Sequence, residues 1–336
     1  MNNLFEYRDC FSEYKDVKSH LIIGKKREQK PDISILMPVF SHHEYFEKAL
    51  LSAINQDFTG EYEIVVVDNN PLTEEKTEYQ EIIERLNPTN IMYYRNECNI
   101  GLFGNWNRCV ELADGQFVTF LHDDDLLLPC CLSELMRFPP MYGNKAVFSQ
   151  QNTIDNKGEI IESSKGAPKK FAVLHLKEYY SINLLDNYVC NRGCGVGCLY
   201  NRQSIIDLGG YNKEYDPSSD YALNIRYVEK YGALETSEVL INYRRAVNYS
   251  YDCYNRWPGM DKFLRESILK KKGIYNFITK RVTNAFYRRQ WVGVNLQFGD
   301  KSLKSVKEKP TWLDMRIYKF IVRCSILKHY KIRIGL

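Results

Sequence analysis

The sequence contains no uninterrupted apolar run near 18 residues, the length that a membrane-spanning helix needs. Its first residues carry charges where a secretory signal peptide has an apolar stretch, so we expect no export by that route. The ten cysteines follow no paired spacing, and we therefore expect free thiols rather than a disulfide framework. With 44% hydrophobic residues in a chain of 336, the composition predicts a globular protein with a sizeable core.

A strong excess of charge is also missing, since 46 basic and 42 acidic residues leave a net charge of +4. This balance argues against nucleic acid as a partner. The distribution is uneven, because residues 301–336 hold ten Lys/Arg against two acidic residues, a local charge of +8, which leaves −4 on residues 1–300. Two interpretations of this basic tail stay open. It is either a helix lying on an anionic membrane or a helix packed against the rest of the protein.

Four short apolar runs, rich in β-branched and aromatic residues, predict buried strands. They lie at 33–37, 63–67, 91–94 and 116–121, and the helix-like stretches between them lie at 44–56, 74–86 and 103–113. This alternation predicts an α/β fold with a Rossmann-like, mostly parallel sheet flanked by helices. We expect a loosely attached leader at 1–30, one large domain at 31–250 with halves at 31–130 and 131–250, and a helical, basic C-terminal extension at 251–336.

The first, second and fourth runs each end in chemically distinctive residues, and ligands of such sheets collect at the carboxyl ends of the strands. The fourth is followed by His122 and by three consecutive carboxylates, Asp123, Asp124 and Asp125. Adjacent carboxylates repel one another unless a cation or hydrogen-bond donors compensate them, and Mg²⁺ or Mn²⁺ is the simplest compensation. Taken alone, the triplet also fits a solvated acidic turn in which one aspartate caps the next helix.

Five motifs in register resemble one enzyme family. In this order and spacing, SILMPVF, EIVVVDNNP, N-I-G-x5-N, FVTFLHDDDLLLP and LGGYNKEYDPSSDYAL look like the inverting family 2 glycosyltransferases of GT-A fold. The resemblance spans roughly 33 to 250 and implies a GT-A catalytic domain there, with a nucleotide-sugar-binding half followed by an acceptor half. It implies a UDP-sugar donor and a glycan or lipid-linked glycan acceptor of bacterial surface polysaccharide, with the enzyme in the cytoplasm or peripheral at the inner face of the membrane.

The resemblance also implies a donor site. Pro38, Val39 and Phe40 would line the pocket of the nucleotide base, and Asp68 would accept a hydrogen bond from the base. Asn99 and Asn107 would lie close to the nucleotide.

For the chemistry, the resemblance implies that Asp123 lies nearer the ribose and that Asp124 binds the divalent metal, Mn²⁺ or Mg²⁺. Asp220 would be the catalytic base that takes the proton from the acceptor hydroxyl. A helix cap is the alternative interpretation of Asp220, with Asp216 or Glu214 as the base if Asp220 is not.

Two positions depart from the family pattern. His122 stands where the metal motif usually begins with aspartate, as in a common subgroup variant. The YR-x-H pattern near Tyr243 has Ala246 in place of its histidine, so that a contact is missing there or Arg245 binds phosphate without a metal.

Three other functions compete with this interpretation. A nucleotidyltransferase would need a basic, glycine-rich phosphate loop after the first strand, and SHHEYF is not one. A hydrolase with paired carboxylates would need neither a nucleotide nor a metal. A non-catalytic glycan-binding protein would bind glycan without releasing UDP.

Overall fold

The structure is a computed structural model that describes residues 3–26, 28–41, 43–137, 143–163, 179–191, 193, 195–245, 253–297 and 311–321. Ala246, one of the two departures, and the basic tail beyond residue 321 lie outside this part of the chain.

A six-stranded sheet forms the centre of the fold, in the order β1-β4-β3-β2-β5-β10. Its strands are β1 (Ser19–Ile23), β2 (Ile33–Val39), β3 (Tyr62–Asp68), β4 (Ile91–Asn96), β5 (Phe117–Phe120) and β10 (Tyr200–Asn201). The four strands predicted from apolar runs are β2 to β5, which pair in parallel, whereas β1 and β10 are antiparallel edge strands. The predicted, mostly parallel α/β sheet is therefore confirmed.

A second sheet of five strands lies beside the first. Its strands are β6 (Leu126–Leu127), β7 (Ala146–Ile154), β8 (Ile160–Glu162), β9 (Tyr179–Ile182) and β11 (Ala233–Arg244). The long strand β11 pairs in parallel with β7 and antiparallel with β6, so it joins the segment after the fourth apolar run to the C-terminal half of the chain.

The helices follow the predicted pattern. They are α1 (Phe46–Ile54), α2 (Glu78–Leu86), α3 (Leu102–Leu112), α4 (Cys131–Leu135), α5 (Leu184–Val189), α6 (Arg202–Asp207), α7 (Ser219–Tyr231), α8 (Trp257–Lys271), α9 (Phe277–Gln297) and α10 (312–321). The first three correspond to the three helix-like stretches of the sequence.

The central sheet divides the core into two apolar layers. Successive side chains of a strand point to opposite faces, so Ile35 and Met37 of β2 pack with α1 and α2, whereas Leu36 packs with α3 and α7. All seven residues of β2 are buried. This is why its apolar run is continuous rather than alternating.

The expectation of a loosely attached leader is wrong. Strand β1 pairs with the edge of β4, with Ser19 opposite Asn96. Leu4 and Cys10 are buried, and the Cys10 backbone N–H donates to the Gly209 carbonyl at 3.0 Å. A strand that pairs through its backbone needs few apolar residues, which is why the polar composition of this segment was misleading.

The C-terminal residues are helical, as predicted, but they belong to the same core. Met260 and Leu264 of α8 and Phe286 of α9 lie in the apolar layer that also contains α3 and α7. In α10, Asp314 is buried and accepts a hydrogen bond from Arg288 Nη1 at 2.9 Å. Every helix within the described ranges is too short or too polar to span a bilayer.

Candidate active site

A cavity of about 690 Å³ opens where the parallel strands β2 to β5 end. Parallel strands bring their carboxyl ends to one edge of a sheet, where ligands commonly bind. The structure places seven of the nine predicted site residues in the cavity wall. They are Pro38, Val39, Phe40, Asn99, Asp123, Asp124 and Asp220.

Residues 122–125, which we call the aspartate loop, follow β5 directly. Tyr79 donates a hydrogen bond to Asp123 Oδ2 at 3.1 Å, which fixes that carboxylate from the side of α2. Asp125 is buried, and its Oδ2 lies 3.6 Å from His122 Nδ1. The loop is therefore not the solvated acidic turn that the sequence left open.

His122, Asp124 and Asp125 lie close enough together to hold a cation. Each offers one ligand atom, and these atoms lie within 4.8 Å of one another. Among the residues that the structure describes, Asp125 Oδ2 and His122 Nε2 are buried and have no hydrogen-bond partner, which fits atoms that can bind a ligand. Carboxylate and imidazole donors fit a divalent metal. The sequence pointed to Asp124 alone and treated His122 as a departure.

Burial raises the pKa of Asp123 to about 8, and the charge of Asp124 adds to this effect. The same two causes raise the pKa of Asp125. For His122, burial alone would lower the pKa, but the nearby Asp125 carboxylate, 3.6 Å from Nδ1, outweighs burial and raises the pKa, and the charges of Asp124 and Asp123 add to this effect. Three carboxylates so placed are costly to ionise together, and a divalent cation would reverse that cost.

Arg244, at the end of β11, holds the aspartate loop through hydrogen bonds. Its Nε donates to the Asp124 carbonyl at 2.8 Å, and its backbone N–H donates to Asp125 Oδ1 at 2.8 Å. The guanidinium is fully buried, with its carbon 4.2 Å from the ring centre of Tyr45, a residue of the cavity wall. The sequence analysis missed Arg244 because it considered Arg245 as the replacement for the missing histidine of the YR-x-H pattern.

Arg245 does not lie in the cavity wall. Its Nη2 is 3.5 Å from the Glu162 carboxylate on β8, and its backbone N–H pairs with β7 through the Ile154 carbonyl. Successive residues of a strand point to opposite faces, so only one of the two arginines can face the aspartate loop. The suggested phosphate contact of Arg245 is not supported.

Asp220 lies in the first turn of α7 and in the same cavity wall as the aspartate loop. Burial raises its pKa to about 6, and the charge of Asp261 contributes to the increase. A carboxylate with a pKa near neutrality suits a general base. The alternatives are less suitable, because Asp216 is paired with Arg256, Glu214 is paired with Arg8, and neither lines the cavity.

Asn99 takes part in a network of asparagines that closes one side of the cavity. Its Oδ1 accepts hydrogen bonds from Asn69 Nδ2 at 2.8 Å and from the Gly101 backbone at 2.7 Å. Asn69 Oδ1 in turn accepts from the buried Asn96 at 2.9 Å. This network fixes the loop between β4 and α3, and Asn69 is a wall residue that sequence reasoning did not single out.

Asn107, which is expected close to the nucleotide, does not line the cavity. Its side chain is buried and forms two hydrogen bonds to the Tyr211 backbone, at 2.7 and 2.9 Å. The ring of Tyr211 contacts that of Trp106 edge-on, with 5.0 Å between the ring centres. The ring of Trp106 in turn lies against that of His122, also with 5.0 Å between the ring centres. Asn107 therefore connects the Gly-Gly-Tyr segment to the aspartate loop through the core, and its place near the nucleotide stays a prediction.

Asp68 is fully buried and does not line the cavity. Its carboxylate accepts hydrogen bonds from Tyr93, Thr77, and the backbone and side chain of Asn70, at 2.7 to 2.9 Å. In this structure it orders the end of β3, and its contact with the base stays a prediction.

Residues 34–209 match the family model described as glycosyl transferase family 2. The chain belongs to this family. The resemblance found in the sequence is thereby confirmed, and the protein is a glycosyltransferase with the α/β architecture of the GT-A fold.

Curated relatives of this glycosyltransferase include enzymes of bacterial glycan synthesis. It is 32% identical over 169 residues to the GalNAc(5)-diNAcBac-PP-undecaprenol beta-1,3-glucosyltransferase of Campylobacter jejuni, covering 47% of this chain and 54% of the relative. It is 26% identical over 207 residues to the putative colanic acid biosynthesis glycosyl transferase WcaA of Escherichia coli, covering 61% and 69%. The chain thus spans about half the length of the Campylobacter relative.

Solved structures with the same fold include those of TarS from S. aureus. The glycosyltransferase superposes on the TarS complex with UDP with a TM-score of 0.56 at 19% identity, covering 83% of this chain and 75% of TarS residues 1–349. The complex with UDP-GlcNAc gives a TM-score of 0.57 at 16% identity, with 88% and 80% covered. At this identity the similarity establishes the fold alone.

Proposed function

We propose that this glycosyltransferase moves a sugar from a UDP-sugar to a hydroxyl of a glycan or lipid-linked glycan acceptor in surface polysaccharide synthesis, with inversion at the anomeric carbon. The observation that carries the proposal is that Asp220 and the aspartate loop line one cavity. A basic group and a site for leaving-group charge are the two parts that a single displacement requires. The TarS complexes with UDP and UDP-GlcNAc support the donor, and the undecaprenol-linked substrate in the name of the Campylobacter relative supports the acceptor.

In this mechanism Pro38, Val39 and Phe40 hold the nucleotide base, and Asp123 lies nearer the ribose. His122, Asp124 and Asp125 would hold Mn²⁺ or Mg²⁺, which would neutralise charge on the departing diphosphate. The hydrogen bonds of Arg244 to Asp124 and Asp125 keep the aspartate loop in its conformation.

On the acceptor side, Asp220 accepts the proton of the attacking hydroxyl. A single displacement inverts the anomeric centre, so an α-linked donor gives a β-linked product. The raised pKa of Asp220 makes its carboxylate a stronger base while leaving it ionised at neutral pH.

The proposal predicts that UDP-sugars, with Mn²⁺, stabilise the protein in a thermal-shift panel of UDP- and GDP-sugars and that an accepted donor then releases UDP. NMR of the product should show a β-linkage. An α-linked product would exclude inversion, and release of pyrophosphate would indicate a nucleotidyltransferase. Glycan binding without any UDP release would indicate a protein that binds glycan only, and hydrolysis of a glycan without nucleotide or metal would indicate a hydrolase.

We also propose peripheral contact of the C-terminal end with anionic membrane. Trp312 and Phe320 of α10 are 68% and 69% exposed, and they lie on the helix near the cationic Arg316 and Lys319. Tyr318 and Ile321 pack on the core, so the helix is attached to the catalytic domain and still exposes apolar residues. This combination suits the interface of a bilayer.

The double change Trp312→Glu and Phe320→Glu should abolish co-sedimentation with phosphatidylglycerol vesicles, because both side chains are exposed and the core contacts remain. Phosphatidylcholine vesicles are the control and should bind little of either protein. Equal binding of the variant and the wild type to the anionic vesicles would refute membrane contact through this helix.

A further inference from the structure

The helices that follow residue 250 form one wall of the cavity. Trp257 and Asp261 of α8 and Gln290 of α9 line it together with Pro217, Ser218 and Asp220. None of the three helix residues lies within residues 34–209, the part that matches the family model. The wall beside the predicted base is therefore built by a segment outside the family match. The match says nothing about which substrate this segment binds.

Trp257 is held against the loop that carries Asp220. Its indole Nε1 donates to the Pro217 carbonyl at 3.4 Å, three residues before Asp220. The ring is half-buried and lies in the wall of the cavity. An aromatic face in a cavity is a surface on which the apolar C–H face of a sugar ring packs.

Asp261 supplies a fixed polar group beside this ring. Its Oδ1 accepts from Ser218 Oγ and its Oδ2 accepts from Gln290 Nε2, both at 2.7 Å. A carboxylate offers about four lone-pair positions, so each oxygen can accept a further hydrogen bond from a hydroxyl. An aromatic face next to an immobilised carboxylate is the combination that orients a sugar.

The charge of the cavity restricts which sugar can bind. Its wall contains the carboxylates of Glu44, Asp123, Asp124, Asp220 and Asp261, and the part of the chain that the structure describes adds no lysine or arginine to it. Asp123, with its pKa raised to about 8, and Asp261, 3.8 Å from Arg265 Nη1, add little net charge, but an acidic sugar would be repelled by the ionised carboxylates that remain, since like charges at short range are unfavourable.

We propose that Trp257 and Asp261 form the subsite for the acceptor, and that the sugar bound there is an uncharged hexose or N-acetylhexosamine whose ring stacks on Trp257. This inference rests on the proposed function and names the acceptor class. The stacked ring presents its hydroxyl to Asp220, because the indole is hydrogen-bonded to Pro217, three residues before the base.

The test uses the full chain with UDP and the diamagnetic Mg²⁺ and a panel of octyl glycosides carrying glucose, N-acetylglucosamine, N-acetylgalactosamine or glucuronic acid. Ligand-observed saturation-transfer NMR should show binding of at least one neutral glycoside and none of the glucuronide. Trp257→Ala should weaken that binding about tenfold, and Trp257→Phe should weaken it less because a ring remains. Trp291→Ala is the matched control, since Trp291 does not line the cavity.

In turnover assays Trp257→Ala should raise the acceptor KM about tenfold and change the donor KM much less, whereas Trp291→Ala should leave both KM values and the slow hydrolysis of the donor unchanged. Binding of neutral glycosides without UDP release from any donor would refute the proposed function and leave the subsite standing. Equal binding by Trp257→Ala and wild type, preference for the glucuronide, or binding of no glycoside would overturn the subsite.

Discussion

Replacing Asp220 with asparagine should lower the turnover number about a thousandfold, which is the usual contribution of a positioned general base. The amide has nearly the shape of the carboxylate but cannot take a proton, so the acceptor hydroxyl loses its base. Because Asp220 is on the acceptor side of the proposed mechanism, the affinity for UDP in the presence of Mn²⁺ should stay close to that of the wild type. Rapid-quench kinetics and calorimetric titration with UDP measure the two quantities.

The matched control for this variant is Asp216→Asn, four residues earlier, where the carboxylate is paired with Arg256 outside the cavity wall. That change should leave turnover within a few-fold of the wild type. Equal losses in the two variants would mean that neither acts as the base and that the helix start was disturbed.

If Asp220 is the base, its pKa should determine how turnover falls at acidic pH. The pKa of Asp220 is raised to about 6, and only its ionised form accepts a proton, so turnover should fall as the pH drops through 6. The residual activity of Asp220→Asn should not show this fall. If wild-type turnover stays flat down to pH 4.5, another group is the base.

Replacing Asp124 with asparagine should weaken Mn²⁺ binding by about a hundredfold or more and remove the Mn²⁺-dependent part of UDP affinity. The amide oxygen remains a weak ligand but carries no charge, whereas the proposed site depends on negative charge near the cation. Titration of Mn²⁺ followed by electron paramagnetic resonance measures the affinity directly and requires no turnover.

Asp123→Asn separates a metal ligand from a neighbouring carboxylate. Asp123 is hydrogen-bonded to Tyr79 and is not in the set whose ligand atoms converge within 4.8 Å. Its replacement should therefore reduce donor affinity while Mn²⁺ affinity changes much less. If Asp123→Asn lost the metal and Asp124→Asn kept it, the assignment would have to be exchanged.

Local patterns in the sequence were sufficient for the central sheet and for most of the cavity. A continuous apolar run such as that of β2 is characteristic of a strand buried on both faces, and polar residues that follow such strands meet at one edge. The placement of Asp124 follows from this rule, whereas that of Asp220 follows from the family resemblance alone.

Interactions between segments far apart in the chain were not visible in the same way. Strand β1 is held by backbone pairing to β4, which leaves little trace in side-chain composition. The side chain of Asn107 forms hydrogen bonds with the backbone of Tyr211, 104 residues away. Arg244 and Arg245 are adjacent, and only the register of β11 with β7 decides which of them faces the aspartate loop.

The wall of the cavity draws on side chains from Pro38 to Gln290. A nascent chain that has emerged only as far as residue 250 contains every matched motif and still lacks the surface beside Asp220. Domains generally fold as units once their whole sequence has left the ribosome. The enzyme therefore acquires its complete binding cleft only late in its own synthesis, when α9 has been released and has docked.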